Sequence, residues 1–325
     1  MVDAKTIVCG LVLFGLANVS VGQTGPATPV DQSIKIDVEV VNVLCDVYDP
    51  RGMLVKDLHK DQFRVSENGK PQEIRYFAQE SDLPLTVAIL IDVSGSVRLV
   101  IEEEKATAGQ FLQRILRPDD QALLMGFASN VILWQDFTSS MDLLHKNLDR
   151  LRAVPIRSFT GLFAGTVLYD AVYLTATEKM RDITGRKAIV ILSDGVDTGS
   201  QMKLPAAVQA LQDSNTVAYG ICYEPAGGAG GCSYLKDIAT PTGGRSFKVT
   251  KKVSLSKVFQ TIEDEIRSQY AIGYVSSNPA HDGTFRKLDV KTRSGRYHVQ
   301  TRKGYRAVLD PPPLEAKSAK YAKSK

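Results

Sequence analysis

Histidine, cysteine and tryptophan are scarce in this chain of 325 residues, with four, four and one copies. His59, His145, His281 and His298 show no ligand spacing, and no pair of cysteines has the spacing of a zinc site. The histidines therefore read as ordinary surface or hydrogen-bonded groups. A G-x-S-x-G elbow is missing, and no histidine is placed to serve as a base, which argues against a serine hydrolase. No glycine loop of the kind that cradles phosphate is present. The string D-T-G-S at Asp197–Ser200 occurs once, so an aspartic-protease pair of carboxylates would require dimerisation through this loop. A large excess of charge is also absent: the net value of +4 is too slight to argue for a nucleic-acid partner. Internal repeats are lacking. What remains is an ordinary globular composition, 43% apolar and 23% charged, in a chain long enough for two domains and a sizeable core.

No apolar run is long enough to cross a bilayer. The stretch T-I-V-C-G-L-V-L-F-G-L-A-N-V-S-V-G-Q after Lys5 has instead the layout of a secretory signal peptide, residues 1–22, with Ser20 and Gly22 at the cleavage positions. A buried first helix is the alternative, but the stretch lacks caps and amphipathic spacing. Cys9 has no lipoprotein context, because bulky Val8 precedes it. A secreted or periplasmic protein without a transmembrane span in the mature chain is expected. Cys222 and Cys232 bracket Y-E-P-A-G-G-A-G-G, a loop flexible enough for its ends to meet. In an oxidising compartment they are expected to form a disulfide, leaving Cys45 as a buried thiol. The Pro- and Lys-rich tail, 310–325, reads as a solvated, disordered end.

After a linker at 23–33, residues 34–82 alternate with period two and carry an Asn68-Gly69 hairpin signal. From 83 to 268 the pattern changes to apolar strands alternating with amphipathic helices, the pattern of a doubly wound α/β domain. The helix up to Leu116 places Val97, Ile101, Ala108, Leu112 and Ile115 at helical spacing. Residues 269–309 return to β. Each β flank alone is short for an independent sheet. The economical expectation is one small β-sandwich with the α/β domain inserted in it; two separate β extensions are the alternative.

Ligands of α/β sheets bind at the carboxyl ends of the strands. There the run L-T-V-A-I-L-I-D ends in Asp-Val-Ser-Gly-Ser, presenting Asp92, Ser94 and Ser96 at alternate positions. Thr166 follows Gly165 at a helix start, and Asp194 ends the apolar run A-I-V-I-L-S-D. These are two carboxylates and three hydroxyls without imidazole or thiolate, a set that suits a hard cation, Mg²⁺ first, with Mn²⁺ or Ca²⁺ as substitutes. The alternative is that the serines cap the following helix and Asp92 supports them. Asp170 and Asp197 lie nearby and are expected to structure a loop rather than hold a second ion. Trp134, Tyr169 and Tyr173 read as packing residues. A phosphotransferase that opens with an aspartate at a strand end wants a second acid two residues on, where this chain has Ser94.

D-V-S-G-S, Thr166 in G-T-x-L-Y-D-A, and S-D-G at Asp194 together resemble the metal-ion-dependent adhesion site of von Willebrand factor type A domains, over roughly Leu85 to Ile266. The flanks are similar to an Acidobacteria-type group of secreted proteins carrying this domain. The similarity lies in V-x-D-x-x-G and F-x-V-x-E-x-G-K-P-Q before the domain, and in S-Q-Y-A-I-G-Y and R-K-G-Y after it. The resemblance implies a metal held directly by Ser94 and Ser96, with Thr166 direct or water-bridged. Asp92 and Asp194 would often act through water, and one position would stay open for an Asp or Glu carboxylate of a protein or surface ligand. It implies a binding module and no enzyme. A scaffold or assembly protein with a structural or vestigial metal site is the other reading.

Overall fold

Leu85–Asp92 is buried along its whole length, and that fixes the architecture: a strand without a polar face must be covered on both sides. The computed structural model describes residues 40–79, 83–153, 165–223 and 231–309. The expected signal peptide (1–22), the linker (23–33), residues 34–39 and the tail (310–325) lie outside these residues.

Four strands come first: β1 (Val40–Tyr48), β2 (Phe63–Glu67), β3 (Lys70–Gln72) and β4 (Ile74–Gln79). The α/β part follows with β5 (Leu85–Asp92), α1 (Ile101–Ile115), β6 (Gln121–Phe127), β7 (Val131–Thr138), α2 (Met141–Arg150) and α3 (Leu168–Leu174). It continues with β8 (Arg186–Ser193), α4 (Leu204–Asp213), β9 (Val217–Tyr223), α5 (Cys232–Ala239), β10 (Ser246–Val249) and α6 (Leu255–Ser268). The chain closes with β11 (Tyr270–Val275), β12 (Phe285–Thr292), β13 (His298–Thr301) and β14 (Gly304–Arg306).

The central sheet has the order β10-β9-β8-β5-β6-β7. All its neighbours run parallel except β7, which returns antiparallel beside β6. The half-exposed pattern of β7, with Ile132 and Leu133 largely open, suits that edge position. Alternate residues of the strands feed two cores. Val87, Ile89 and Ile91 meet α1, α2 and α6 on one face, while Ala88 and Leu90 meet α3, α4 and α5 on the other. Ser140 caps α2 by accepting from the Leu143 amide, and α3 runs on as a π-helical stretch over Thr175–Met180. Trp134, Tyr169 and Tyr173 pack against these cores. Among the described residues no helix is long and apolar enough to cross a membrane.

The order in which strands are added reverses at β5: β6 lies on one side and β8 on the other. The carboxyl ends of β5 and β8 therefore border the crevice where doubly wound sheets take their ligands.

Strands from both flanks combine into two further four-stranded sheets, β13-β1-β11-β4 and β14-β12-β2-β3. They enclose a core that includes Val43, Val47, Phe63, Ile272 and Tyr274. The β2–β3 turn places Asn68 and Gly69 in the left-handed region, with Glu67 opposite Lys70, as the Asn-Gly pair predicts. Polar contacts join this part to the α/β part. Arg302 donates to Asn215 Oδ1 and to the Asn42 carbonyl, and Arg245, paired at 2.7 Å with the fully buried Glu265 of α6, lies over the Tyr48 ring of β1 at 5.3 Å. Asp46 of β1 is buried in the same junction and accepts from Gln269.

Candidate metal centre

Each proposed ligand occupies the place its local sequence dictates. Asp92 is the last residue of β5 and is wholly buried. Its Oδ1 accepts from the Ser94 amide at 2.8 Å, closing a turn that points the chain back over the strand end. This turn brings the hydroxyls of Ser94 and Ser96 to 2.9 Å from each other. The two hydroxyls hydrogen-bond to each other at this distance, close to the roughly 3.0 Å between neighbouring ligands of an octahedral ion that each sit about 2.1 Å from Mg²⁺. Ser94 is nearly buried and Ser96 exposed, so the pair faces outward to solvent.

Asp194 follows β8 and is also buried. Its Oδ1 accepts from the Val196 amide, and its carbonyl accepts from the Gly231 amide. Burial raises the Asp92 carboxyl above its ordinary range; Asp194 adds to that, while hydrogen bonds from Ser94 and Ser193 oppose it. Two carboxylates in one desolvated place call for a positive charge.

Thr166 is held by a different device. Its amide donates to Thr198 Oγ1, and its carbonyl accepts from the amides of Thr198 and Gly199. The segment after Asp194 therefore carries Thr166 with it. Among the described residues no hydrogen bond joins the Thr166 hydroxyl to the other four groups; what links it to the Asp194 loop is its backbone.

Asp170 and Asp197 are committed to structure. Asp170 accepts from the amides of Gln201 and Met202, while Asp197 accepts from the Tyr169 and Ser200 amides and the Ser200 hydroxyl. The D-T-G-S string is thus a loop that caps α3 and anchors Thr166.

Ser193 was not among the residues singled out from the sequence. It is fully buried, donates from Oγ to Asp92 Oδ2 at 2.7 Å and accepts from the Gly195 amide. The signal was available: a lone hydroxyl ends the apolar run Ala188–Leu192, directly before Asp194. Cys222 and Cys232 are bonded, as the sequence predicts, and the Cys222 sulfur lies 3.6 Å from the Asp194 carbonyl. Cys45 is a buried free thiol.

The donor set fits a hard divalent cation in its chemistry: all oxygen, two of them anionic, with a solvent-facing side. Among the described residues no three His, Cys, Asp or Glu side chains gather tightly enough to ligate an ion by themselves, so the hydroxyls are indispensable to such a site.

A family model of the von Willebrand factor type A domain matches residues 86–261, more than half of the chain. Among solved structures, BatB from Bacteroides thetaiotaomicron is 17% identical with a TM-score of 0.46, the match covering 56% of this chain and 97% of that one. The von Willebrand factor domain of the type V pili tip protein Mfa5 from Porphyromonas gingivalis is 15% identical, with a TM-score of 0.45 and coverage of 57% and 95%. Proximal thread matrix protein 1 of the mussel byssus, in a form with a zinc-occupied metal-site motif, is 16% identical, with a TM-score of 0.48 and coverage of 66% and 48%. No curated protein matches the chain.

Proposed function

Because this chain belongs to the von Willebrand factor type A domain family, we propose that it is an extracytoplasmic binding module that captures an acidic group of a partner protein through a divalent metal. Asp92, Ser94, Ser96, Thr166 and Asp194 would hold the ion, Mg²⁺ first. The observation that carries this reading is the Ser94–Ser96 hydroxyl pair, 2.9 Å apart above the buried Asp92 carboxylate.

When bound, the ion supplies the positive charge toward which an arriving Asp or Glu carboxylate is drawn. The chain's own groups do the rest. Asp92 and Asp194 neutralise a divalent charge, while the neutral hydroxyls add no further negative charge. Burial of both acids keeps water from screening that interaction. The outward position of Ser96 leaves room for the partner. The two β-sheets made by the flanks would serve as the platform that presents the centre. No enzymatic role is proposed: among the described residues the hydroxyls and carboxylates of this crevice bond one another and the backbone, and no histidine stands among them.

An extracytoplasmic location, after removal of residues 1–22, is supported by the Cys222–Cys232 disulfide, a bond that persists in oxidising compartments. The test is capture of partner proteins from the periplasm or medium in Mg²⁺ and in EDTA. Capture that requires the metal and disappears in Asp92→Ala supports the reading. Capture that survives both treatments assigns binding to the platform instead and makes the metal site structural.

A further inference from the structure

Helix α1 buries a stripe of residues at alternating spacings of three and four: Ile101, Glu104, Ala108, Phe111 and Ile115. Four of the five are apolar or small, as a helix laid on a sheet requires. Glu104 breaks the rule. It is 0% exposed, and neither of its carboxylate oxygens has a hydrogen-bond partner among the described residues. Adjacent Glu102 and Glu103 point to solvent, and the neighbouring Lys105 ammonium is taken by Glu102 and the Asp149 carbonyl. The Tyr223 hydroxyl, at the carboxyl end of β9, is also buried without a partner.

A carboxylate placed this way costs several kcal/mol unless something positive compensates it. The N-terminal dipole of α1 returns only about 0.3–1 kcal/mol. Position supplies the missing element. α1 begins at Ile101, five residues after Ser96, and Ile101 shares its core with Ile91 and Val93, the residues on either side of Asp92. Burial first, and then the fields of Asp92, Glu103 and Asp194, hold the Glu104 carboxyl well above the ordinary range.

We propose that Glu104 belongs to the cation centre as a third, inner carboxylate that stands behind the ligands and strengthens the hold on the divalent ion. It is a positioning group and not a direct ligand, since the three acids do not gather closely enough to chelate by themselves. This rests on the metal-dependent reading above and adds a consequence to it. With Glu104 ionised, the centre carries one negative charge more than a divalent ion neutralises, so tight ion binding comes at the expense of attraction for an acidic partner.

The experiment is Mn²⁺ titration by calorimetry or electron paramagnetic resonance on the full chain, with thermal melts in EDTA. Glu104→Gln should weaken Mn²⁺ binding about 10- to 100-fold and raise the melting midpoint of the metal-free protein. The exposed Glu178→Gln, an acid that does not act on Glu104, should leave both unchanged, which excludes a diffuse effect of net charge. Glu104→Met, whose apolar chain suits the stripe, repeats the measurement if the glutamine variant does not fold. Unchanged Mn²⁺ affinity, or a metal-free protein made less stable by the loss of the charge, overturns the assignment while leaving the metal reading intact. A wild-type protein that binds no Mn²⁺ overturns both.

Discussion

The hydroxyl of Ser193 donates to Oδ2 of Asp92 at 2.7 Å, joining the ends of two neighbouring parallel strands through a fully buried contact. Oδ1 is meanwhile fixed by the Ser94 amide, so the carboxylate is held from both sides. Ser193→Ala leaves Oδ2 buried without this donor and should destabilise the fold by about 1–3 kcal/mol. In the metal reading it also weakens Mg²⁺ or Mn²⁺ binding, by about 10-fold or more. Urea unfolding in EDTA and metal titration measure the two effects separately. A variant unchanged in both would show that Ser94 alone orients Asp92.

Gly195 and Gly231 face each other backbone to backbone. Gly195 has a φ of +80°, and a Cβ on either residue would run into the main chain of the other. The contact seats the loop after β8 against the residue preceding α5, next to the disulfide. Gly195→Ala combines left-handed strain, about 1–2 kcal/mol, with that collision. Gly231→Ala meets the collision alone. Both should lower the thermal midpoint, Gly195→Ala more, and both should disturb the position of Asp194. Equal midpoints for the two variants would mean that the backbone conformation contributes nothing.

The junction between the two parts should respond to pH in a direction opposite to ordinary acid denaturation. Burial first, and then Glu265, raise the Asp46 carboxyl well above its usual range; Gln269 and Arg245 only partly oppose this. Glu265 is itself raised by burial. A carboxyl whose folded value exceeds its unfolded one binds more protons in the folded state. Its stabilising share is complete below the unfolded value, about pH 4, and is lost as pH rises through the folded value. Asp46→Asn should therefore flatten the decline of stability with rising pH, gaining about 1.4 kcal/mol for each unit by which the folded value is raised. Chemical denaturation of both proteins at several pH values reads this slope. Parallel slopes would exclude Asp46 as the source.

Much of this was legible in the chain because the signals were local. Unbroken apolar runs read as β5 and β8, and the Asn68-Gly69 pair as a hairpin. The Asp92–Ser96 turn also follows from sequence, since alternate oxygens at the end of a buried strand have few other uses. Less visible were features that depend on distant partners. The helix α5 and the strand β10 are short and flank a glycine-rich stretch, so their periodicity is weak; they form because Leu235 and Ile238 find the core. The antiparallel turn of β7 depends on its edge position and not on its composition. Ser193 acquires its role from a carboxylate 101 residues away in sequence. Glu104 reads as one more acid in an E-E-E run until the stripe of α1 is seen to turn it inward.

β4, which leads into the α/β part, lies antiparallel beside β11, which leads out of it, with Gln79 opposite Tyr270. Departure and return therefore occupy one doorway. A short turn bridging the two would convert them into an ordinary hairpin and leave the remaining strands with the neighbours they already have. Excision of 83–268 on this plan should yield a small all-β protein that melts cooperatively, with the buried polar groups of the junction newly wetted. In evolutionary terms such a doorway makes the α/β part a cassette, open to exchange by a single recombination event without rewriting its host.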